Sequence, residues 1–433
     1  MNQKIIIRNF GPISQAEFDI SDFTLFIGTQ ASGKSTLAKS VFFFKSLRDD
    51  LLKYILSETN NKNEFNKAIG SYAKRIRQKY LDYWGPTFHL KNIYIKYFYT
   101  NDLWIELTLG NDTKFITPTF SSKFIEEFNL IIDSVKSKNT KFQEKKITFL
   151  TNKEIIQFES EKNSFISSIE LSINRLFQDD KDLLFIPAGR SLLSTLSEQM
   201  QYLDTRKLDY LMRTFVERIV NIKRVFSVGI DDLILEKKKL TQDYINKQNV
   251  QLASDLVGKI LKGKYRNDKD GEKIFIDKNT YTKLNFSSSG QQESIWILHL
   301  LFLIILENQK TFIVIEEPEA HLFPIAQNDI AKLITMLNNS GNQVIITTHS
   351  PYILSSFNSF IFANELSIKH KEKVEKILPK QYWLNPKKSQ MYFIEQGKLI
   401  DVVEHDINSL KTELIDTASL ENNNLYSSLF EIE

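Results

Sequence analysis

The chain has no cysteine in 433 residues, which excludes disulfides, cysteine-ligated zinc and a cysteine nucleophile. It has no apolar run of the roughly 18 residues that a membrane span requires. The longest such run, Ile295–Leu306, reads as a buried helix. Internal repeats and low-complexity linkers are absent, and no heptad pattern lasts long enough for an extended coiled coil. The opening MNQKIIIRNF alternates like a strand and carries no signal peptide, so a cytoplasmic protein with no membrane partner is expected. A net charge of +3 permits nucleic-acid binding without arguing for it. At 42% hydrophobic and 25% charged residues the composition is that of an ordinary globular protein. The length suits two lobes, or one domain with a sizeable insertion.

Against these absences stands GTQASGKS, Gly28–Ser35, between the apolar FTLFI and the helix-like TLAKSVFFFKSL. The spacing G-x-x-x-x-G-K-S in a strand–loop–helix setting is that of a P-loop. Gly28 and Gly33 allow a tight turn that aims successive N–H groups, from Thr29, Gln30, Ala31 and Ser32 onward, at phosphate oxygens. The helix that starts near Lys34 and runs through Thr36 adds its positive N-terminus. Lys34 reaches the β- and γ-phosphates of ATP, and the Ser35 hydroxyl is placed to hold Mg²⁺.

Two further stretches carry chemistry. TFIVIEEPEAHL, Thr311–Leu322, is an apolar strand ending in two adjacent carboxylates. Neighbours on a strand point to opposite sides, so separate roles are expected. Glu316 would join the Mg²⁺ shell, and Glu317 would orient or deprotonate the attacking water. GNQVIITTHSPYIL, Gly341–Leu354, is another apolar strand, with His349 just past its end, where ligands of open α/β sheets bind. A hydrogen bond from His349 to the γ-phosphate would sense the nucleotide.

Other segments leave alternatives open. Residues 4–10 and 16–20 read as strands around Gly11-Pro12, and Phe42–Phe44 as core. Ser71–Trp84 is a nucleic-acid face or a solvated helix with aromatics packed inward. KNIYIKYFYT with LWIELTLG, and KIFIDKN with YTKLNF, read as hairpins, and Asp231–Leu261 as a single helix. Arg190, after the apolar LLFI, reaches a phosphate or a partner subunit, or caps the following helix.

FSSSGQQE, Phe286–Glu293, opens the apolar helix with a hydroxyl-rich loop. GTQASGKS, SSSGQQE, VIEEPEAHL and TTHSP occur in the order and approximate spacing of the ABC-type ATPase head. The EPEAHL–THSP pairing and the NFGPI opening resemble the SMC/RecF/OLD branch, and within it the stand-alone, PtuA-like ATP-binding proteins of bacterial anti-phage systems. The similarity covers residues 1–48 and about 284–356. It implies an α/β fold, a P-loop NTPase head formed by residues 1–48 and 275–400. A large, mainly helical insertion at 49–274 would separate Walker A from the signature motif, and a helical tail would occupy 401–433. It implies a head-to-tail homodimer or higher homo-oligomer in which Ser288, Ser289, Gly290 and Gln291 close over the partner's ATP. Glu317, His349 and Lys34 would be the catalytic set, with Glu319 and Ala320 at the dimer contact. No Q-loop glutamine can be placed. OLD nucleases add a TOPRIM domain, but 84 residues follow His349, too few for a metal nuclease. The acids Glu404, Asp406, Glu413 and Asp416 fit a helical face instead. A separately encoded effector, a nuclease or toxin regulated in phage defence, is therefore expected. The alternative is a RecF-like DNA-binding repair clamp. A transporter ATPase is the third and least fitting class.

Overall fold

Every residue of the strand Phe23–Gly28 is buried, as a strand covered on both faces requires. It belongs to a computed structural model that describes residues 3–60, 67–88, 90–109, 115–145, 152–195, 204, 207–240, 246–404 and 409–410. The chain forms two units, Met1–Ile20 with Lys39–Leu183, and Ser21–Ala38 with Leu184–Glu433.

In the first unit, strands β1 (Lys4–Phe10) and β2 (Ile13–Asp19) form the expected hairpin. Strand β3 is Phe23–Gly28, in the second unit. Strands β4 (Ile93–Phe98), β5 (Trp104–Leu109) and β6 (Thr117–Phe120) complete the antiparallel order β6-β5-β4-β1-β2. Burial alternates along β4 and β5, as one covered face dictates. Helices of this unit are the body of α1 (Lys34–Asn60), α2 (Ala68–Trp84), α3 (Ser122–Lys145) and α4 (Asn152–Phe177). Phe42, Phe43 and Phe44 are core, with Phe44 stacked on Tyr97 at 5.2 Å between ring centroids. On α2, Tyr72, Ile76 and Tyr80 are buried and Lys79 pairs with Asp50, so its aromatics pack inward. That outcome favours the structural reading of this helix over the nucleic-acid face.

The second unit holds the sheet β14-β13-β3-β12-β11-β7. Its strands are β7 (Asp182–Ile186), β11 (Thr311–Glu316), β12 (Gln343–Thr348), β13 (Ser389–Glu395) and β14 (Lys398–Asp401). Strands β13, β3, β12 and β11 run parallel. A smaller antiparallel sheet contains β8 (Lys264–Asp268), β9 (Gly271–Phe275) and β10 (Tyr281–Lys283). The β9–β10 hairpin was expected and β8 was not. Helices α5 (Ser191–Thr195), α6 (Tyr210–Lys223), α7 (Ile230–Leu240) and α8 (Lys247–Leu261) precede the apolar α9 (Ser289–Glu307). The single helix expected over 231–261 is thus two, because Asn246 caps α8 through the Asn249 amide. Helix α9 is long and apolar enough to cross a membrane, yet Ile295–Leu306 are all buried in this unit's core. Helices α10 (Pro324–Asn339) and α11 (Pro351–Ile377) follow β11 and β12.

Two differences from expectation concern the outer segments. Strand β7 falls within 49–274, the stretch expected as insertion, yet it pairs into the same sheet as β11. Within the tail expected to be helical, the described residues instead include strands at Val403–Glu404 and Ser409–Leu410. Glu404 lies in the first of these, while Asp406, Glu413 and Asp416 lie outside the described residues.

Candidate nucleotide site

The register of the parallel sheet decides what meets at its edge. Ile27 pairs with Thr348, Thr347 with Glu316, and Gly28 with Ile394. The P-loop, the paired acids and His349 therefore leave the sheet at one end, the carboxyl ends of the strands, which is where open α/β sheets bind ligands.

Gly28 has φ +154°, and a Cβ there would lie 2.6 Å from the Ile394 carbonyl oxygen, so only glycine fits. Ala31 at φ +60° and Gly33 at φ +109° complete the loop, and α1 begins at Lys34. Thr29, Gln30, Ala31 and Ser35 are exposed, and Ser32 and Thr36 are half-buried. Lys34 is 5% exposed. Its Nζ donates to the carbonyls of Gly28 at 3.0 Å and Thr29 at 2.7 Å, and faces Nδ1 of His349 at 3.3 Å. Burial pushes the lysine down to about 8, against the pull of Glu317 and Glu319.

Glu316 ends β11 and is 5% exposed. Its Oε2 accepts from the Ala188 amide at 3.4 Å, while Oε1 is buried without a partner. Glu317 does not continue the strand. It adopts φ +46° and donates its N–H to the Thr347 carbonyl at 2.9 Å. The two acids therefore diverge through a left-handed turn, not through the alternation of a pleat. Glu317 Oε1 lies 3.2 Å from His349 Nε2. Glu319 Oε1 accepts from the Thr348 hydroxyl at 2.6 Å and the His349 amide at 2.9 Å, which holds the histidine's backbone to the turn.

Ser288 caps α9 in a box with Gln291, whose Nε2 also donates to the Leu261 carbonyl. Ser288 and Ser289 are exposed. Gly290 has an intrachain reason of its own: a Cβ there would sit 2.7 Å from the His321 carbonyl oxygen. The structure thus brings together Gly28–Lys34, Glu316, Glu317 and His349, and sets the Ser288–Gln291 turn against the segment that follows Glu317.

Arg190 does neither of the things its sequence position suggested. It is fully buried, and it donates to the main-chain carbonyls of Pro187, Glu316, Glu317 and Glu293. A lone arginine after an apolar strand signals a partner, but nothing local says that three of its four carbonyl partners lie more than a hundred residues away. Glu293, which anchors it, carried no sequence signal beyond its place in SSSGQQE.

The orphaned, buried Oε1 of Glu316 fits a cation, whose shell it would share with the Ser35 hydroxyl. Among the described residues no group of three or more His, Asp or Glu side chains could hold a metal by itself.

A glycine-bound loop at a parallel strand end, with a buried lysine and paired acids on neighbouring strands, defines a P-loop ATPase head of α/β fold. The chain belongs to the AAA ATPase domain family, which matches residues 1–354. It is 36% identical over 74 residues to the Old nuclease of Escherichia phage P2, a stretch covering 16% of this chain and 13% of that protein. Solved structures similar to it include the SMC head bound to the C-winged helix domain of ScpA, at 12% identity and TM-score 0.41, covering 93% of this chain and 98% of that one. The SMC head domain from Thermotoga maritima is 12% identical with TM-score 0.36, covering 82% and 92%. The Smc head domain with an extended coiled coil, bound to the C-terminal domain of ScpA derived from Pyrococcus furiosus, is 12% identical with TM-score 0.40, covering 96% and 98%.

Proposed function

We propose that this chain binds Mg·ATP at Gly28–Thr36 and hydrolyses it slowly as a head-to-tail homodimer. The observation that carries the reading is the continuous path from Lys34 through His349 to Glu317. It joins the group that meets the γ-phosphate to the group that handles the attacking water. Bound Mg²⁺, held by Ser35 and Glu316, would neutralise charge on the phosphate oxygens. Lys34 would exchange its two loop carbonyls for phosphate oxygens. His349, released from Lys34, would keep its Nε2 contact with Glu317 and orient the base. Ser288, Ser289, Gly290 and Gln291 would present the N-terminus of α9, with Ser288 and Ser289 exposed, to the partner's triphosphate.

The motif order and the stretch similar to Old nuclease support a further step. The dimer would act as a sensor that regulates a separately encoded nuclease or toxin in phage defence. The test of the ATPase is Glu317→Gln with Mg·ATP, followed by turnover and by light scattering. Turnover falls at least about 100-fold while ATP stays bound and the mass doubles. Turnover at the wild-type rate removes Glu317 from the chemistry. Salt-sensitive binding of bare duplex DNA, tightest with ATP, would mark a repair clamp in place of a defence sensor.

A further inference from the structure

Arg190 and Glu293 form a closed buried unit. The Arg190 Nη1 donates to the carbonyls of Pro187 at 2.8 Å and Glu316 at 2.7 Å. Nη2 donates to the Glu317 carbonyl at 2.9 Å, and Nε to the Glu293 carbonyl at 3.1 Å. The Glu293 carboxylate lies 3.4 Å from Nη2 and accepts the amides of Arg190 at 2.9 Å and Ser191 at 2.6 Å. Both side chains are essentially inaccessible, at 0% and 1% exposure.

The two carbonyls gripped by the guanidinium flank the Glu317 turn. A non-glycine residue at φ +46° persists only where its surroundings over-determine it, and this fork is such a restraint. Glu293 stands one turn into α9, the helix whose cap is Ser288 and whose Gly290 leaves no room for a Cβ beside the His321 carbonyl. The Arg190–Glu293 linkage therefore ties the first turn of α9 to the Glu316–Glu317 backbone, and close approach at Gly290 sets the same turn beside His321.

We propose that Arg190, held by Glu293, is a positioning residue that sets the orientation of Glu317 and makes it depend on the seating of the α9 N-terminus. This rests on Glu317 acting in hydrolysis. Any ligand that engages Ser288–Gln291 then reaches Glu317 through rigid, fully bonded groups. A lysine cannot replace the fork, because it lacks the planar spread that spans both carbonyls.

The test uses Arg190→Lys and the paired Arg190→Met/Glu293→Leu. The paired change exchanges a buried ion pair for apolar groups, which proteins commonly tolerate. ATP affinity, steady-state turnover and thermal unfolding are measured on each variant, with Glu317→Gln alongside. Whichever of the two variants folds keeps its nucleotide affinity and loses kcat by at least about tenfold, as misplacement of a catalytic group produces. Wild-type kcat in a folded variant, or parallel loss of affinity and kcat, overturns the proposal and leaves the pair a structural fastening. If Glu317→Gln itself turns over at the wild-type rate, the underlying ATPase assignment of Glu317 fails, whatever Arg190 does.

Discussion

His349 Nε2 lies 3.2 Å from Glu317 Oε1. The other ring nitrogen faces the Lys34 ammonium at 3.3 Å. An ammonium only donates, so Nδ1 accepts and the ring proton sits on Nε2, where it is donated to the carboxylate. One imidazole therefore bridges the P-loop lysine and the acid at the end of the neighbouring strand.

The lysine end of this path predicts a pH dependence. Burial lowers Lys34 to about 8, and only the ammonium form binds a triphosphate well. Nucleotide affinity is flat below that value and falls as pH rises through it. Calorimetry in buffers of different ionisation enthalpy should show proton uptake on binding that is small at pH 7 and grows towards pH 9. In the free protein the folded value lies below the unfolded 10.5. The unfolded chain then holds the extra proton between about 8 and 10.5, and the Lys34 contribution to stability rises with pH across that window. Lys34→Met abolishes both effects.

The acid end predicts a separation of stability from activity. Glu317 at φ +46° carries a conformational cost that glycine does not. Replacing Glu317 by Gly relieves about 1 kcal/mol of backbone strain. The variant should unfold at the same temperature as the wild type or higher, while hydrolysis is lost. A clear fall in unfolding temperature would mean that the carboxylate's contact with His349 matters more to folding than the strain it imposes.

The P-loop, the acidic pair and the THSP turn were legible because each couples a local backbone demand to a fixed residue type. A glycine must stand at Gly28, and no other residue clears the Ile394 carbonyl. The conformation of Glu317 was misread as a continuing strand, although Pro318, which has no N–H for a ladder, marked the end. Arg190 was ambiguous because its four carbonyl partners are set by tertiary packing across β7, β11 and α9, which no local pattern encodes. The break between α7 and α8 was missed because apolar spacing persists on both sides of the Asn246 cap. Strand β8 was missed because its five residues, KYRND, hold a single buried side chain.

The first unit offers a test of stability independent of the nucleotide. Lys45 and Asp179 meet at 2.5 Å with both side chains nearly inaccessible. Burial lowers the lysine against the attraction of Asp179. Burial pushes the Asp179 carboxyl up, but the charge and hydrogen bond of Lys45 outweigh it and the net shift is down. A depressed carboxyl stabilises the fold above its unfolded value and loses that contribution as pH falls through the folded one, so the pair weakens in the acid range below about pH 4. Asp179→Asn keeps an acceptor for the Lys181 amide but removes the negative charge opposite buried Lys45. It should cost about 3–5 kcal/mol in urea unfolding, and adding Lys45→Met should recover more than half of that loss. Equal instability of the single and double variants would show that the loss does not come from the Lys45 charge left opposite an uncharged amide.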